Sequence, residues 1–219
     1  MKATLSFQKK QSRMHVANFT LLIALALCAL LPSGLKAQQI VTIGTETGTS
    51  YEVPVNNYWN YTWSQMIFTS QEIPAGTISA IGFQYAYSSP STAKNNVRIY
   101  FATTNKSYFS SESDYVTSGF TLVYSGNLNC SQGWNTFNLQ TPYAYSGNGN
   151  LVVAVVDQSG DYDGRSYTFN QSSTSNAMTI HYYEDDYSAS SPTSPNSNMY
   201  SDYIYYRANT QFTILSPCA

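Results

Sequence analysis

An all-β domain, two antiparallel sheets packed face to face as a jelly-roll-like sandwich, is what this sequence predicts, on three observations. Short runs of alternating apolar and polar residues recur between clusters of Gly, Pro, Asn and Ser, which is the signature of strands that turn one face to a core. Tyr, Ser, Thr and Asn abound while charged residues make up only 10% of the chain, a composition that suits strands and turns better than helices. Beyond the first 37 residues no stretch carries a convincing helical period.

Ten strands are expected, at 40–43, 64–69, 78–87, 97–102, 122–125, 135–139, 151–157, 167–170, 178–183 and 210–214. Ile81, Phe83, Tyr85 and Tyr87 alternate with Gly82, Gln84 and Ala86, and Val97, Ile99 and Phe101 with Arg98 and Tyr100. Side chains point to opposite faces at successive positions, so each of these strands has one core face. Leu151-Val152-Val153-Ala154-Val155-Val156 does not alternate, which predicts a central strand covered on both faces. Turn residues such as Ser146-Gly147-Asn148-Gly149-Asn150 punctuate the runs. The segment 184–198 reads as a long exposed loop.

The N-terminus reads as an export signal. Lys2, Lys9, Lys10 and Arg13 precede an apolar run from Phe19 to Leu31, too short to span a bilayer comfortably, and Pro32 and Gly34 lead into Leu35-Lys36-Ala37. The reading is a signal peptide over 1–37 cleaved at Ala37/Gln38, one domain over 38–215, and a tail or the start of a further segment at 216–219. An uncleaved anchor is the alternative. Cleavage removes Lys2, Lys9, Lys10, Arg13 and Lys36 and no acidic residue, leaving five basic against twelve acidic side chains, a net charge of −7. That balance argues against nucleic acid, whose phosphates require a basic surface. Of three cysteines, Cys130 and Cys218 remain, and an oxidising compartment would permit a disulfide between them.

Residues 43–69, reading IGTETGTSYEVPVNNYWNYTWSQMIFT, followed by Gln71-Glu72-Ile73, ISAIGFQY, VRIYFATTNKSYFSS, Gly133-Trp134, LQTPYAYSGNGNLVVAVVD and RANTQFTI, resemble a β-sandwich module repeated in secreted and cell-surface proteins of Bacteroidetes-type bacteria. The resemblance covers nearly the whole mature chain. It implies an extracellular or outer-surface accessory domain, often set ahead of fibronectin type III domains, with no catalytic residues to carry over. This sequence reaches Cys218-Ala219 without such a domain.

Tyr and Trp offer flat apolar faces with polar edges, suited to sugar rings and protein interfaces. Trp59, Tyr61 and Trp63 would share one face of a strand, and Tyr182, Tyr183, Tyr187 and Tyr203 belong to a second, more loop-like group. These seven are the candidate ligand-binding residues, set against the plain reading that half the first cluster is core. Asp157, Asp161 and Asp163, with Gly164, fall in one loop and offer oxygen ligands of the kind calcium takes, set against a solvated acidic hairpin. His181 is the one histidine of the mature chain and could serve Cys130 as a base, set against a surface histidine on a strand.

The reading is therefore a secreted or surface-displayed, non-enzymatic module, with a role in adhesion or in carbohydrate or protein binding, no cofactor other than a calcium ion, and no membrane span after signal cleavage. The rivals are a glycoside hydrolase on the same fold, with Glu52 and Glu184 as its carboxyl pair, and a structural spacer.

Overall fold

A computed structural model describes residues 37–49, 53–166 and 168–216. Residues 1–36 of the expected signal peptide (1–37), Cys218 and Glu52 lie outside the described residues. Among those described there are twelve strands and no helix, and no helix long and apolar enough to cross a membrane. The strands are β1 (Gln38–Ile43), β2 (Tyr61–Phe68), β3 (Gly76–Tyr85), β4 (Val97–Thr104), β5 (Thr121–Gly126), β6 (Gly133–Tyr145), β7 (Asn150–Asp157), β8 (Gln171–Ser173), β9 (Thr179–Glu184), β10 (Tyr200–Ile204), β11 (Tyr206–Ala208) and β12 (Thr210–Leu215).

One sheet has the order β1-β12-β3-β6 and the other β10-β9-β2-β7-β4-β5, with β8 and β11 forming a small ribbon. Every neighbouring pair is antiparallel. From β1 to β7 the chain changes sheet at every connection except β4 to β5. The eight strands β1 to β7 and β12 thus form a jelly-roll sandwich, which the larger sheet extends by β9 and β10.

Two apolar clusters hold it. Between the sheets lie Met66, Phe68, Phe83, Phe101, Val153 and Phe212, among others. On the outer face of the larger sheet, Trp63, Ile67, Val152, Val156, Ile180 and Tyr182 meet Phe109, Val116, Ala189 and Met199 from two loops. β7 sits between β2 and β4, and its residues 151–156 are fully buried because odd positions enter the inter-sheet core and even positions the outer one. The continuous apolar run and the central place have this one cause.

The outer cluster is a roofed sheet face, and β2 fastens the roof. Gln65, fully buried, accepts from Val116 N at 2.7 Å and donates to Val116 O at 2.8 Å and Pro192 O at 2.9 Å. Trp63 Nε1 donates to Ser191 O at 2.9 Å, and the Tyr182 hydroxyl to Glu112 O at 2.9 Å. The segment 184–198 is thus not an open loop. Ala189 and Pro192 are buried in it, although Tyr187 stays exposed.

The expected strands are present within a few residues, except at 167–170. There Phe169 makes only an isolated bridge to Tyr85, and the ribbon strand β8 begins at Gln171. Tyr87 also falls outside β3 and is exposed. β10 and β11 fall where tyrosines suggested loop. Tyr is a strand former as readily as a loop residue, so composition did not separate the two.

Candidate functional site

β2 begins at Tyr61, so Trp59 is not on the strand with Tyr61 and Trp63. From Tyr61 onward odd residues face the roof. Tyr61 and Tyr203 are half-buried against the outer cluster, Trp63 has no accessible surface, and Tyr182 is only 7% exposed. All four pack beneath the roof; burial of Trp63 and Tyr182 corrects the expectation that these two offer rings to a ligand, while Tyr61 and Tyr203 keep part of their surface. Tyr187, in the roof segment, is 44% exposed.

Trp59 and Tyr183 do come together, with Tyr58 and Tyr200, which the candidate list missed. The Trp59 and Tyr183 rings are 5.2 Å apart and tilted by 37°. Tyr183 stacks on Tyr200 at 6.0 Å and 28°, Trp59 and Tyr200 are 6.4 Å apart, and Tyr58 meets Trp59 edge-on at 5.5 Å. Strand parity produces this arrangement: Tyr183 is opposite both Tyr200 and Thr62, on the face turned away from the roof, where β9 and β10 extend the sheet beyond β2. Tyr200 is 62% exposed and Tyr58 47% exposed, while Trp59 and Tyr183 are half-buried, so the cluster opens to solvent along Tyr58 and Tyr200. The sequence signal for Tyr200 was its two-residue spacing from Asp202 and Ile204, which puts the three on one face of β10.

The turn carrying Trp59 is fixed from two sides. Asn60 donates its backbone N–H to Asp185 Oδ1 at 3.0 Å and its side-chain amide to Asp185 O at 3.1 Å. From beneath, Lys94 Nζ donates to Trp59 O at 2.6 Å, to Asp161 O at 2.9 Å and to Asp157 Oδ2 at 2.8 Å. Lys94 and Asp157 are both fully buried, and the three ammonium protons have three acceptors.

The three acids expected to hold calcium have other partners in this arrangement. The Lys94 ammonium occupies the place between Asp157 and the loop carbonyls that a cation would take. Asp157 Oδ1 accepts from Ser159 Oγ at 2.6 Å and Ser159 N at 3.0 Å. Asp163 faces Asn57 at 3.3 Å and Arg165 at 3.6 Å, and the Asp161 carboxylate turns back to Tyr162 N. Among the described residues no three His, Cys, Asp or Glu side chains form a metal-binding group. Burial raises the Asp157 carboxyl above its ordinary range, with Lys94 and Ser159 opposing.

Cys130 is a buried free thiol, pushed up to about 12 by burial; its expected partner Cys218 lies outside the described residues. His181 is not at the surface. Burial holds its imidazole down to about 4, against the upward pull of Asp202 across the strand pair. The unfolded chain, at about 6.5, therefore binds the proton more tightly than the native state. No stability is lost to His181 above pH about 6.5, and the loss grows as pH falls toward 4. Between pH 7.5 and 4.5 it is expected to amount to roughly 2–3 kcal/mol. Urea midpoints at the two pH values check this: His181→Asn should lose correspondingly less than the parent, and parallel losses would refute it.

Glu46 and Glu72 line one cleft of about 250 Å³ beside Arg207 and Ser173. Burial pushes Glu72 up, but pairing with Arg207 and hydrogen bonds from Thr69 outweigh it and leave the carboxyl below its usual value. Glu46 accepts from Ser173 N and Oγ at 3.1 and 2.9 Å. A glycosidase's general acid needs a raised pKa, the opposite of the Glu72 environment. Glu184 accepts from the neighbouring Asp185 N.

The fold and this surface define an antiparallel jelly-roll β-sandwich that exposes an aromatic cluster at one edge of its larger sheet. No family model matches the chain, and no curated protein is significantly similar to it.

Proposed function

We propose that the chain is an exported, non-enzymatic surface module, related to the repeated sandwich modules it resembles, that binds glycan through Trp59, Tyr183 and Tyr200. The observation that carries this reading is the partly exposed cluster of three rings at tilts of 28–46°, rimmed by Tyr58. Mutually inclined flat faces with hydroxyl edges suit sugar rings, which are apolar on their faces and polar at their rims. Ordering them costs little entropy, since Tyr and Trp have few rotatable bonds and Trp59 is already fixed through Lys94 and Asp185.

The hydrolase alternative needs two carboxyl groups facing one another across a cleft with divergent pKa values, and the pairing of Glu72 with Arg207 weighs against it. A glycan array probed with the purified protein tests the proposal. Retention on at least one glycan class is expected, with Trp59→Ala and Tyr200→Ala each weakening it by about tenfold or somewhat less, as loss of one ring contact implies. A blank array would favour the spacer reading, and binding insensitive to both substitutions would move the site elsewhere.

A further inference from the structure

We infer that the chain has a second ligand site, separate from the platform of Trp59, Tyr183 and Tyr200: a cleft at one end of the smaller sheet that takes an uncharged sugar residue of a neutral glycan. The cleft has a volume of about 380 Å³, within the ~300–1,000 Å³ usual for small-molecule sites. It lies where β3 ends and β6 begins, and its polar lining comes from Thr47, Thr49, Gln84, Gln132 and Asn170. The platform belongs instead to β9, β10 and the turn before β2, in the larger sheet.

Asn170 carries the inference. Only 9% of it is exposed, and it lines the cleft. Its backbone is fixed on both sides, the N–H donating to Gln84 O at 2.8 Å and the carbonyl accepting from Asn209 N at 2.9 Å. Its side-chain amide hydrogen-bonds to no other described residue. Buried amides in native structures have partners, and the partner of this one must come from the cleft. Gln84 has its Oε1 occupied by Asn209 at 2.8 Å, which leaves its amide N–H groups to a ligand. Gln132 does the reverse, donating to Ala86 O at 3.2 Å and keeping its carbonyl oxygen. Donors and acceptors thus converge on one space, with the Thr47 and Thr49 hydroxyls able to serve as either.

Trp134 flanks this space. It is the register partner of Gln84 across the β3–β6 pair, follows Gly133 of the cleft wall and is 36% exposed. Directly opposed residues of an antiparallel pair share one face of the sheet, so the indole lies on the same face as the Gln84 amide. At Gly133 a Cβ would meet nothing within 4 Å, so the wall between the two is open.

The lining decides the class of ligand. No lysine, arginine, aspartate or glutamate lines the cleft, so a charged ligand would lose hydration without gaining a counter-charge. An apolar ligand would leave the Asn170 amide unsatisfied. An extended peptide needs free backbone groups at a strand edge, and those at 84 and 86 are used: Gln84 N and O pair with Asn209 and Asn170, Ala86 N and O with Thr168 and Gln132. A neutral sugar brings hydroxyls that donate and accept, and an apolar ring face for Trp134.

Magnetic resonance of the isotope-labelled protein tests this, because three tryptophans give three indole reporters: Trp134 for the cleft, Trp59 for the platform and buried Trp63 as a control. The probes are neutral hexasaccharides of glucose, of mannose and of galactose, with hexagalacturonate and hexaglycine for comparison. At least one neutral hexasaccharide is expected to shift the Trp134 indole and Asn170 amide resonances, equally in the parent and in Trp59→Ala, while Trp63 does not move. Asn170→Leu should weaken that response by about tenfold, as loss of the ligand's hydrogen bonds implies, without lowering the urea midpoint, since the amide makes no internal bond. Shifts at Trp59 with none at Trp134 or Asn170 overturn the second site and leave the platform standing. Shifts at Trp134 and Asn170 alone uphold the cleft and count against the platform, and no shift at any of the three overturns the cleft. Hexagalacturonate or hexaglycine acting as strongly as the best neutral sugar overturns the assignment to neutral glycan, and parent-like binding by Asn170→Leu overturns the role of the amide.

Discussion

Replacing Lys94 by methionine is expected to lower the stability of the fold by about 3–5 kcal/mol, the range for breaking a buried ion pair from one side. The size follows from what is left behind. Asp157 would remain fully buried next to Ser159 with its charge uncompensated, and the carbonyls of Trp59 and Asp161 would each lose a donor inside the protein. Methionine fills a similar volume, so a cavity contributes little and the loss reports electrostatics and hydrogen bonding. Lys94→Met combined with Asp157→Asn should recover more than half of the loss, since an amide keeps hydrogen bonds without the charge. Urea denaturation followed by fluorescence measures both. A single-variant loss under about 1 kcal/mol, or a double variant no better than the single, would show that the pair does not hold the turn. Because Lys94 anchors the Trp59 carbonyl, glycan binding by the single variant should weaken too, and return in part with the double.

Lys94 also marks how far the sequence could be read. The inter-sheet core was legible because period-two burial is local: Ile81, Phe83 and Tyr85, or Val97, Ile99 and Phe101, announce their face within a few residues. β7 announced its central place by failing to alternate. Lys94 has no such signal. It lies in a short polar stretch, and its acceptors come from residues 59, 157 and 161, brought together only by the fold. For the same reason the three acids of that loop could be read as one group, while the fold pairs Asp157 with Lys94 and Asp163 with Arg165. The aromatic site was half legible. The Tyr and Trp clusters stood out in composition, but their division between roof and platform depends on the register of β2, β9 and β10 and on where β2 begins. A start at residue 61 puts Trp59 outside the strand and Trp63 beneath the roof.

Trp63→Ala is the second large loss to expect, about 3–5 kcal/mol, the usual cost of truncating a fully buried large aromatic. Trp63 touches Tyr115 edge-on at 5.7 Å and Tyr182 at 5.5 Å, and its Nε1 holds Ser191 O. One side chain therefore packs against both roof loops and the sheet, two residues from Gln65, whose amide bridges the same loops. Its removal should loosen the roof before the sandwich, since the inter-sheet core lies on the other face of β2 and is untouched. Limited proteolysis should then cut within 186–198 far faster than in the parent, while the sheets stay protected until global unfolding. Trp63→Phe keeps most of the buried area but leaves Ser191 O without its donor, so a loss of about 1–2 kcal/mol is expected, with the roof still closed. Binding separates a packing role from contact with ligand. Trp63→Ala loosens the loop that holds Asp185 against Asn60 and so disturbs the Trp59 turn indirectly; Trp63→Phe should restore both the roof and the binding. If Trp63→Ala instead kept its stability and protection but lost binding, and Trp63→Phe did the same, Trp63 would have to reach the ligand itself, and a side chain with no accessible surface under a fixed roof could not do so.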